Sequence, residues 1–446
     1  MANTYLHRTM GSGDRNKWTL SVWVKKSTNG ANQRIITVSD NSSYDDNLRF
    51  DGNDNLVFIY NNATVIITNR KFRDTNAWYH IVLKVDTAQA TADDRVLLYI
   101  NGVHERTNGY STDNIPAQSQ DGYINHNVQH VIGMTNPTAN SNHFNGCMSH
   151  YHFTDGYAYD ASTFGETDAT TGEWKINTSP SITMGTNGFT ILKDGNTITD
   201  QSSNSNDFTL GAGTLTQTED CPSNVFATFN PLIYSSNNST FSNGNTRVVG
   251  GSANWRQQGC TMGIAENQGK YYWEMKGVSG SDFNGLVGIK DVHFANSGNY
   301  NYPTGYGSDG GHGIAYGKGG ELYTNTVPAT SSWGATYSAG DIISVAFDAD
   351  NMKLYFAKNG TWQNSGDPTS GSSGTGAVSV VTTGSGENIW LPFVTTHAGG
   401  WDCNFGNGYF GTSAISSEGT NASGIGKFEY DVPNGFTALS TKGLNE

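Results

Sequence analysis

Apolar residues along this chain recur with a period of two, and no run sustains the 3.6 spacing of a helix. The run "WYHIVLKVD" places Tyr79, Ile81, Leu83 and Val85 on one face, and "DIISVAFD" does the same with Ile343, Val345 and Phe347. Alternation of this kind marks strands with one face buried. Each run ends at an aspartate, Asp86 or Asp348. A polar loop follows, then a second strand containing Leu-Tyr, then an Asn-Gly pair, Asn101-Gly102 or Asn359-Gly360. Asn-Gly between apolar alternations signals a tight hairpin, because both residues accept positive φ. The repeated phrase predicts two related sandwiches.

Further strands are expected at "KWTLSVWVKK", "RIITVSD", "NLRFDG", "LVFIYNN" and "TVIITN", and downstream at "HVIGM" and "FNGCMSHYHF". Short strands separated by Asn, Asp and Gly clusters describe a jelly roll closing near residue 155. Residues 160 to 235 are rich in Thr, Asn, Ser and Gly but keep Trp174, Phe226 and Phe229, which suits an ordered connector better than a flexible linker. The expected fold is all-β: two antiparallel β-sandwiches, over residues 1–160 and 236–446, joined by a mostly irregular connector at 161–235.

Composition agrees with many short strands and tight turns: 55 glycines, and a charged fraction of 14%. Lys and Arg number 25 against 39 Asp and Glu, a net charge of −14, which argues against a nucleic-acid partner. The opening "MANTYLHRTMGSGDRNK" has no apolar signal region, and no stretch approaches the ~20 apolar residues of a membrane span, so no membrane insertion is expected. Cys147, Cys221, Cys260 and Cys403 contain no CxxC pair and are read as free thiols, with a Cys221–Cys260 bridge left open.

The phrases "WTLSVWVK", "WYHIVLKVD", "LLYINGV" and "FNGCMSHYHFTDG" resemble the strand series of concanavalin A-like, laminin-G-like lectin sandwiches. Over residues 240 to 410, "GKYYWEM", "GLVGI", "GIAYGKGGELYTN", "GDIISVAFDADNMKLYFAKNGTW", "WLPFV" and "CNFG" resemble a SPRY (B30.2) domain in their order. "DGYAYDASTFGETDATTGEWKI", "CPSNVFATFNPL" and "DVPNGFTALSTKGL" are similar to phrases in structural proteins of marine tailed phages. The resemblance implies a virion protein, on the tail or capsid surface, made in the host cytoplasm. Its implied partners are other virion proteins and host-surface glycan or receptor, and at family level it implies a homo-oligomer, a trimer.

Lectin-like sandwiches also host glycoside hydrolases, but the paired-carboxylate ExDxxE spacing is missing here, and a non-enzymatic protein is expected. The two GxGxxG matches, from Gly305 and Gly406, open no plausible helix and are read as turns. Asp40, Asp45 and Asp46 in "SDNSSYDDN" offer oxygen ligands for structural calcium, although acidic turn residues more commonly serve Asx-turns. His143, His150 and His152 are read as surface histidines on an edge strand. Trp362, just past Asn359-Gly360, is read as packing on its sandwich. Aromatic rings in turn-rich stretches are the binding candidates: Tyr44, Tyr110, Tyr300, Tyr302, Tyr306, Trp333 and Trp401. Flat apolar faces beside short polar groups suit sugars, and Tyr and Trp also dominate protein interfaces. The expected function is a tail fibre or appendage recognising host glycan or protein. The alternative is an architectural virion protein docking partners through SPRY-like loops at 296–308, 331–336 and 397–401, with a polysaccharide-degrading enzyme third.

Overall fold

The structure is a computed structural model describing residues 3–40, 43–193, 198–234, 239–251, 256–279, 283–294, 313–324, 330–381 and 387–445. It is all-β and divides into two compact units: residues 1–217 with 221–223, and residues 218–220 with 224–446.

In the first unit an eight-stranded antiparallel sheet runs from Tyr110–Asp113 at one edge through Ala63–Thr68, Leu56–Tyr60, Asp45–Phe50, Gln33–Ser39, Gln129–Ile132 and Tyr5–Thr9 to Thr209–Ala212. A six-stranded antiparallel sheet lies in the order Phe189–Ile191, Gly146–Asp155, Lys17–Lys26, Tyr79–Asp86, Val96–Ile100, Val103–His104. Trp18, Leu20, Val22 and Val24 alternate into one core with Leu48, Phe58, Ile81 and Leu83. The same strand is buried on its other face too, at Thr19, Ser21 and Trp23. The covering layer begins just past residue 155: Ala161 and Phe164 pack on Val82 with Tyr99, Tyr159 and Trp174 around them.

Residues 161–217 are therefore not a separate connector. They lay a strap across the outer face of the six-stranded sheet, then add an edge strand to each sheet, Phe189–Ile191 against Gly146–Asp155 and Thr209–Ala212 against Tyr5–Thr9. The strand Phe229–Tyr234 already belongs to the second unit.

That unit pairs a seven-stranded sheet, which includes Arg256–Cys260, Ile389–Thr396, Leu286–Asp291 and Gly313–Gly317, with a nine-stranded one. The larger sheet centres on Gly400–Asn404, Lys270–Val278, Ile342–Asp348 and Lys353–Lys358. Trp273, Val345, Trp390 and Val394 share its core. The C-terminal segment covers Tyr272 with Phe428, edge-on at 5.0 Å, and the short strand Thr437–Ala438 joins Lys270–Val278 in parallel.

The two Asn-Gly turns are built alike. Asn101 donates its N–H to the His80 carbonyl (2.9 Å) and accepts the His80 N–H on Oδ1 (2.8 Å). Asn359 does the same with Ile342, at 2.9 and 2.8 Å. Gly102 and Gly360 have φ of 78° and 79°, and each lies under a ring from the segment that follows its sandwich. A Cβ on Gly102 would stand 2.3 Å from the Trp174 ring, and one on Gly360 would stand 2.7 Å from Tyr430. Left-handed backbone and overpacking each cost about 1 kcal/mol or more, so Gly102→Ala and Gly360→Ala should each destabilise their own unit by about 2–3 kcal/mol. Urea denaturation would check this, and a loss of only about 1 kcal/mol would show that the roofing rings move aside and leave the backbone cost alone. Trp362 is half-buried, edge-on to Tyr355 at 6.4 Å, and packs against the core as expected.

Candidate functional site

Among the candidate rings that lie in the described residues, Tyr44 meets a partner that makes a surface. Asp40 closes the turn before Asp45–Phe50 by accepting the N–H groups of Ser43 (2.6 Å) and Tyr44 (3.1 Å) on Oδ1. Asn62, at φ 64°, accepts the Asp45 N–H (2.6 Å) and donates to the Ser43 carbonyl (3.1 Å), tying this turn to the next hairpin. Tyr44 is held half-buried there, and the ring of Tyr123 stacks on it with centroids 5.2 Å apart and planes at 26°.

Asp46 sets that stack. It is fully buried, and its carboxylate accepts the Tyr123 N–H (2.5 Å) and the Asn62 N–H (3.2 Å). Burial pushes its pKa up to about 6 against those stabilising N–H groups. Gly122 makes the approach feasible, since a Cβ there would stand 2.2 Å from the Tyr60 ring and 2.7 Å from the Asp46 carboxylate. The Arg15 guanidinium lies 5.4 Å from the centre of the Tyr123 ring, donates to the Gly122 carbonyl (2.6 Å), and stands 3.9 Å from the exposed Asp121 carboxylate. His126 completes the cluster, edge-on to Tyr123 at 6.3 Å.

The three aspartates proposed for calcium are thus not gathered round one point. Asp40 and Asp46 spend oxygens on backbone N–H groups, and Asp45 accepts from Asn47 Nδ2 (3.0 Å). Among the described residues no group of three or more His, Cys, Asp and Glu side chains is placed to hold a metal.

Other candidates lie elsewhere. Tyr110 sits at the opposite end of the same sheet, half-buried, with Arg106 5.8 Å over its ring. Trp401 is a correction: it lies in the strand Gly400–Asn404 at 0% exposure, edge-on to Phe283 at 5.2 Å, its indole N–H donating to the Thr395 carbonyl (2.8 Å). Trp333 is half-buried and edge-on to Tyr316 (5.5 Å) and Phe356 (5.9 Å), in a loop tied to the 361–363 hairpin through Ala335 N–H to Gln363 Oε1 (2.7 Å). Tyr300, Tyr302 and Tyr306 fall outside the described residues. Tyr123, Arg15 and Asp121 were missed, although "QDGYIN" carries the same sign as the named candidates, an aromatic just past a turn pair.

His150 and His152 are not surface groups on an edge. Their strand has partners on both sides, and both side chains are buried, beside a bulge at which His150 takes φ 47°. The fully buried His80 is their neighbour under the strap. It stacks on Trp23 at 4.7 Å, and its Nδ1 accepts the Trp174 indole N–H (2.9 Å). An indole only donates, so His80 is the neutral tautomer whose Nε2–H faces Ser21 Oγ (2.9 Å). Burial pushes its pKa down to about 3.

All four cysteines are free, so Cys221 and Cys260 do not pair. In the second unit a cavity of about 630 Å³ opens beside Lys270, Tyr271, Asp350, Phe436 and Leu444. The Lys270 ammonium there is already held by Asp348 at 3.0 Å.

These observations define two β-sandwiches, the first a concanavalin A-like jelly roll. Residues 2–162 match the family model described as the concanavalin A-like lectin/glucanases superfamily, which is less than half of the chain. Among solved structures, the chain is similar to the SPRY domain of human HERC1, with 16% identity over 39% of this chain and 96% of that one, at a TM-score of 0.28. It is also similar to a native heptameric SAP-like pentraxin from Limulus polyphemus, with 14% identity over 43% and 90% and the same TM-score of 0.28. No curated protein matches the chain. Among the described residues no helix is long and apolar enough to cross a membrane.

Proposed function

We propose that this is a non-enzymatic binding protein of a phage virion, a tail fibre or similar appendage that engages host-surface glycan through the first unit. The carrying observation is the Tyr44–Tyr123 stack, fixed from beneath by a buried carboxylate and flanked by Arg15 and Asp121. Preorganised rings lose little freedom on binding, and a guanidinium beside a carboxylate reads hydroxyl groups in both senses, as donor and as acceptor. The virion setting is supported by the phage-like phrases in the sequence.

Tyr123→Ala should reduce binding of the purified protein to host cells at least tenfold while shifting the first unit's melting temperature by less than about 4 °C, because the ring is only half-buried. Unchanged cell binding would remove this site. An architectural role has one observation in its favour, the half-buried Trp333 on a pinned loop of the second unit. Trp333→Ala would then abolish incorporation into virions and spare binding to cells.

A further inference from the structure

We infer that the Tyr44–Tyr123 surface selects neutral sugars and rejects anionic ones such as uronate or sulfated glycans. The inference rests on the glycan-binding reading above and concerns only the class of sugar taken.

The stacked rings present apolar surface, which suits the C–H face of a pyranose and carries no charge preference of its own. The charge preference comes from the groups around them. Asp40 is exposed beside Tyr44, Asp45 follows it with 41% of its side chain exposed, and Asp121 stands near Tyr123 with 51% exposed. The guanidinium groups near these three carboxylates are already engaged: Arg15 donates from Nε to the Gly122 carbonyl and faces Asp121 with Nη1, Arg34, only 10% exposed, lies 3.8 Å from Asp45, and Arg49 donates to Asn47 Oδ1 (2.6 Å). His126 does not restore the balance, because burial and the nearby Arg15 both lower its pKa and leave it neutral at pH 7. An anionic sugar laid on the rings would meet three exposed carboxylates, and the charge of the guanidinium nearest the rings, Arg15, is already answered by Asp121. The chain's overall charge of −14 acts in the same direction at longer range.

A neutral sugar meets the opposite situation. Apart from Arg15 at 3.9 Å, Asp121 has lone pairs free to accept two neighbouring hydroxyl groups, and the guanidinium's remaining N–H groups can donate to ring or hydroxyl oxygen. Asp46 is the positioning residue, because it holds Tyr123 and reaches no ligand itself.

Affinity electrophoresis of the full-length protein tests this, with mannan, galactan and laminarin as neutral probes and polygalacturonate and carrageenan as anionic ones, at low and moderate salt. Retardation by at least one neutral polymer is expected, at least tenfold stronger than by either anionic polymer. Tyr123→Ala should abolish it, and Asp121→Lys should weaken it while raising retardation by polygalacturonate; melting curves establish that both variants are folded. Preferential retardation by an anionic polymer that Tyr123→Ala abolishes would overturn the sugar class and leave the site standing. Retardation indifferent to Tyr123→Ala, or none with any polymer, would overturn both.

Discussion

Lowering the pH from 7 to 5 should cost the first unit about 4 kcal/mol of stability and leave the second unit no weaker. Burial pushes the pKa of His80 and His152 down to about 3 and that of His130 to about 4. Each is fixed in a neutral role: His80 accepts from Trp174, His130 accepts the Asn125 N–H (2.9 Å) while donating to the Val128 carbonyl (3.0 Å), and His152 pairs with Thr190 Oγ1 (2.9 Å). An unfolded histidine binds its proton near pH 6.5, so between 6.5 and the folded value the unfolded chain holds more protons. Stability is therefore present above 6.5 and is lost as the pH falls, by about 1.4 kcal/mol per pH unit for each histidine. Three of them give about 6 kcal/mol at pH 5. Asp46 opposes them: its folded pKa of about 6 lies above the unfolded value, so its protonation returns about 1.4 kcal/mol over the same range.

The second unit runs the other way. Glu274 is buried under the C-terminal segment, where it accepts the N–H groups of Glu429 (3.0 Å) and Tyr430 (2.9 Å), and burial pushes its pKa up to about 7. Its folded form takes the proton first, so stability lost as the pH rises through 7 is regained on acidification, by about 2 kcal/mol at pH 5. Lys290, pushed down to about 8, is charged in both states throughout this range and contributes no change. Hydrogen exchange on the full-length chain at both pH values, corrected for intrinsic rates, separates the units. Equal changes in protection in the two would refute the assignment.

Those buried groups also show where the sequence was legible. Large apolar side chains alternate toward the sandwich core, so the runs at 79–85 and 343–347 could be read directly even though both faces of these strands are largely buried, and the Asn-Gly turns fixed their hairpins. The straps could not be read that way. Strands of three or four residues, such as Phe189–Ile191 and Thr209–Ala212, carry too few positions for a period and exist because a long strand already offers its edge. His152 looked like a surface residue because alternation assigns it to the outer face, and only the strap, through Phe164 stacked at 5.7 Å, makes that face an interior. Trp401 looked exposed because glycines precede it. Gly400 is instead where two strands approach closely, since a Cβ there would stand 2.1 Å from the Val248 carbonyl oxygen. Tyr44 was visible as an aromatic in a polar turn and Tyr123 carries the same sign; what leaves no pattern in sequence is the buried Asp46 carboxylate, bonded to backbone N–H groups, that brings the two together.

Removing the charge of Asp54 should destabilise the first unit by about 3–5 kcal/mol. Lys26 is fully buried, and its ammonium donates to Asp54 Oδ1 (2.9 Å) and the Phe72 carbonyl (2.9 Å) while lying 4.7 Å from the centre of the Phe50 ring. Asp54 also accepts the Gly30 N–H (2.8 Å), which fixes the neighbouring loop, and Arg73 reaches it at 3.4 Å from a largely exposed position. Burial lowers the pKa of Lys26 and the Asp54 carboxylate pulls against that effect, so the ammonium depends on this one buried anion. Losing one member of such a pair leaves an uncompensated charge, which costs more than the pair itself contributes. Asp54 has φ of 64°, a conformation asparagine accepts and alanine resists, so Asp54→Asn removes the charge without adding backbone strain. A loss of that size lowers the melting temperature of a unit of this length by roughly 8–15 °C. The double variant Lys26→Met, Asp54→Asn should recover more than half of the loss, because it removes the stranded ammonium and keeps the Gly30 bond. If the two single substitutions simply add in the double variant, as urea denaturation would show, the pair is not coupled and burial of Lys26 is tolerated for another reason.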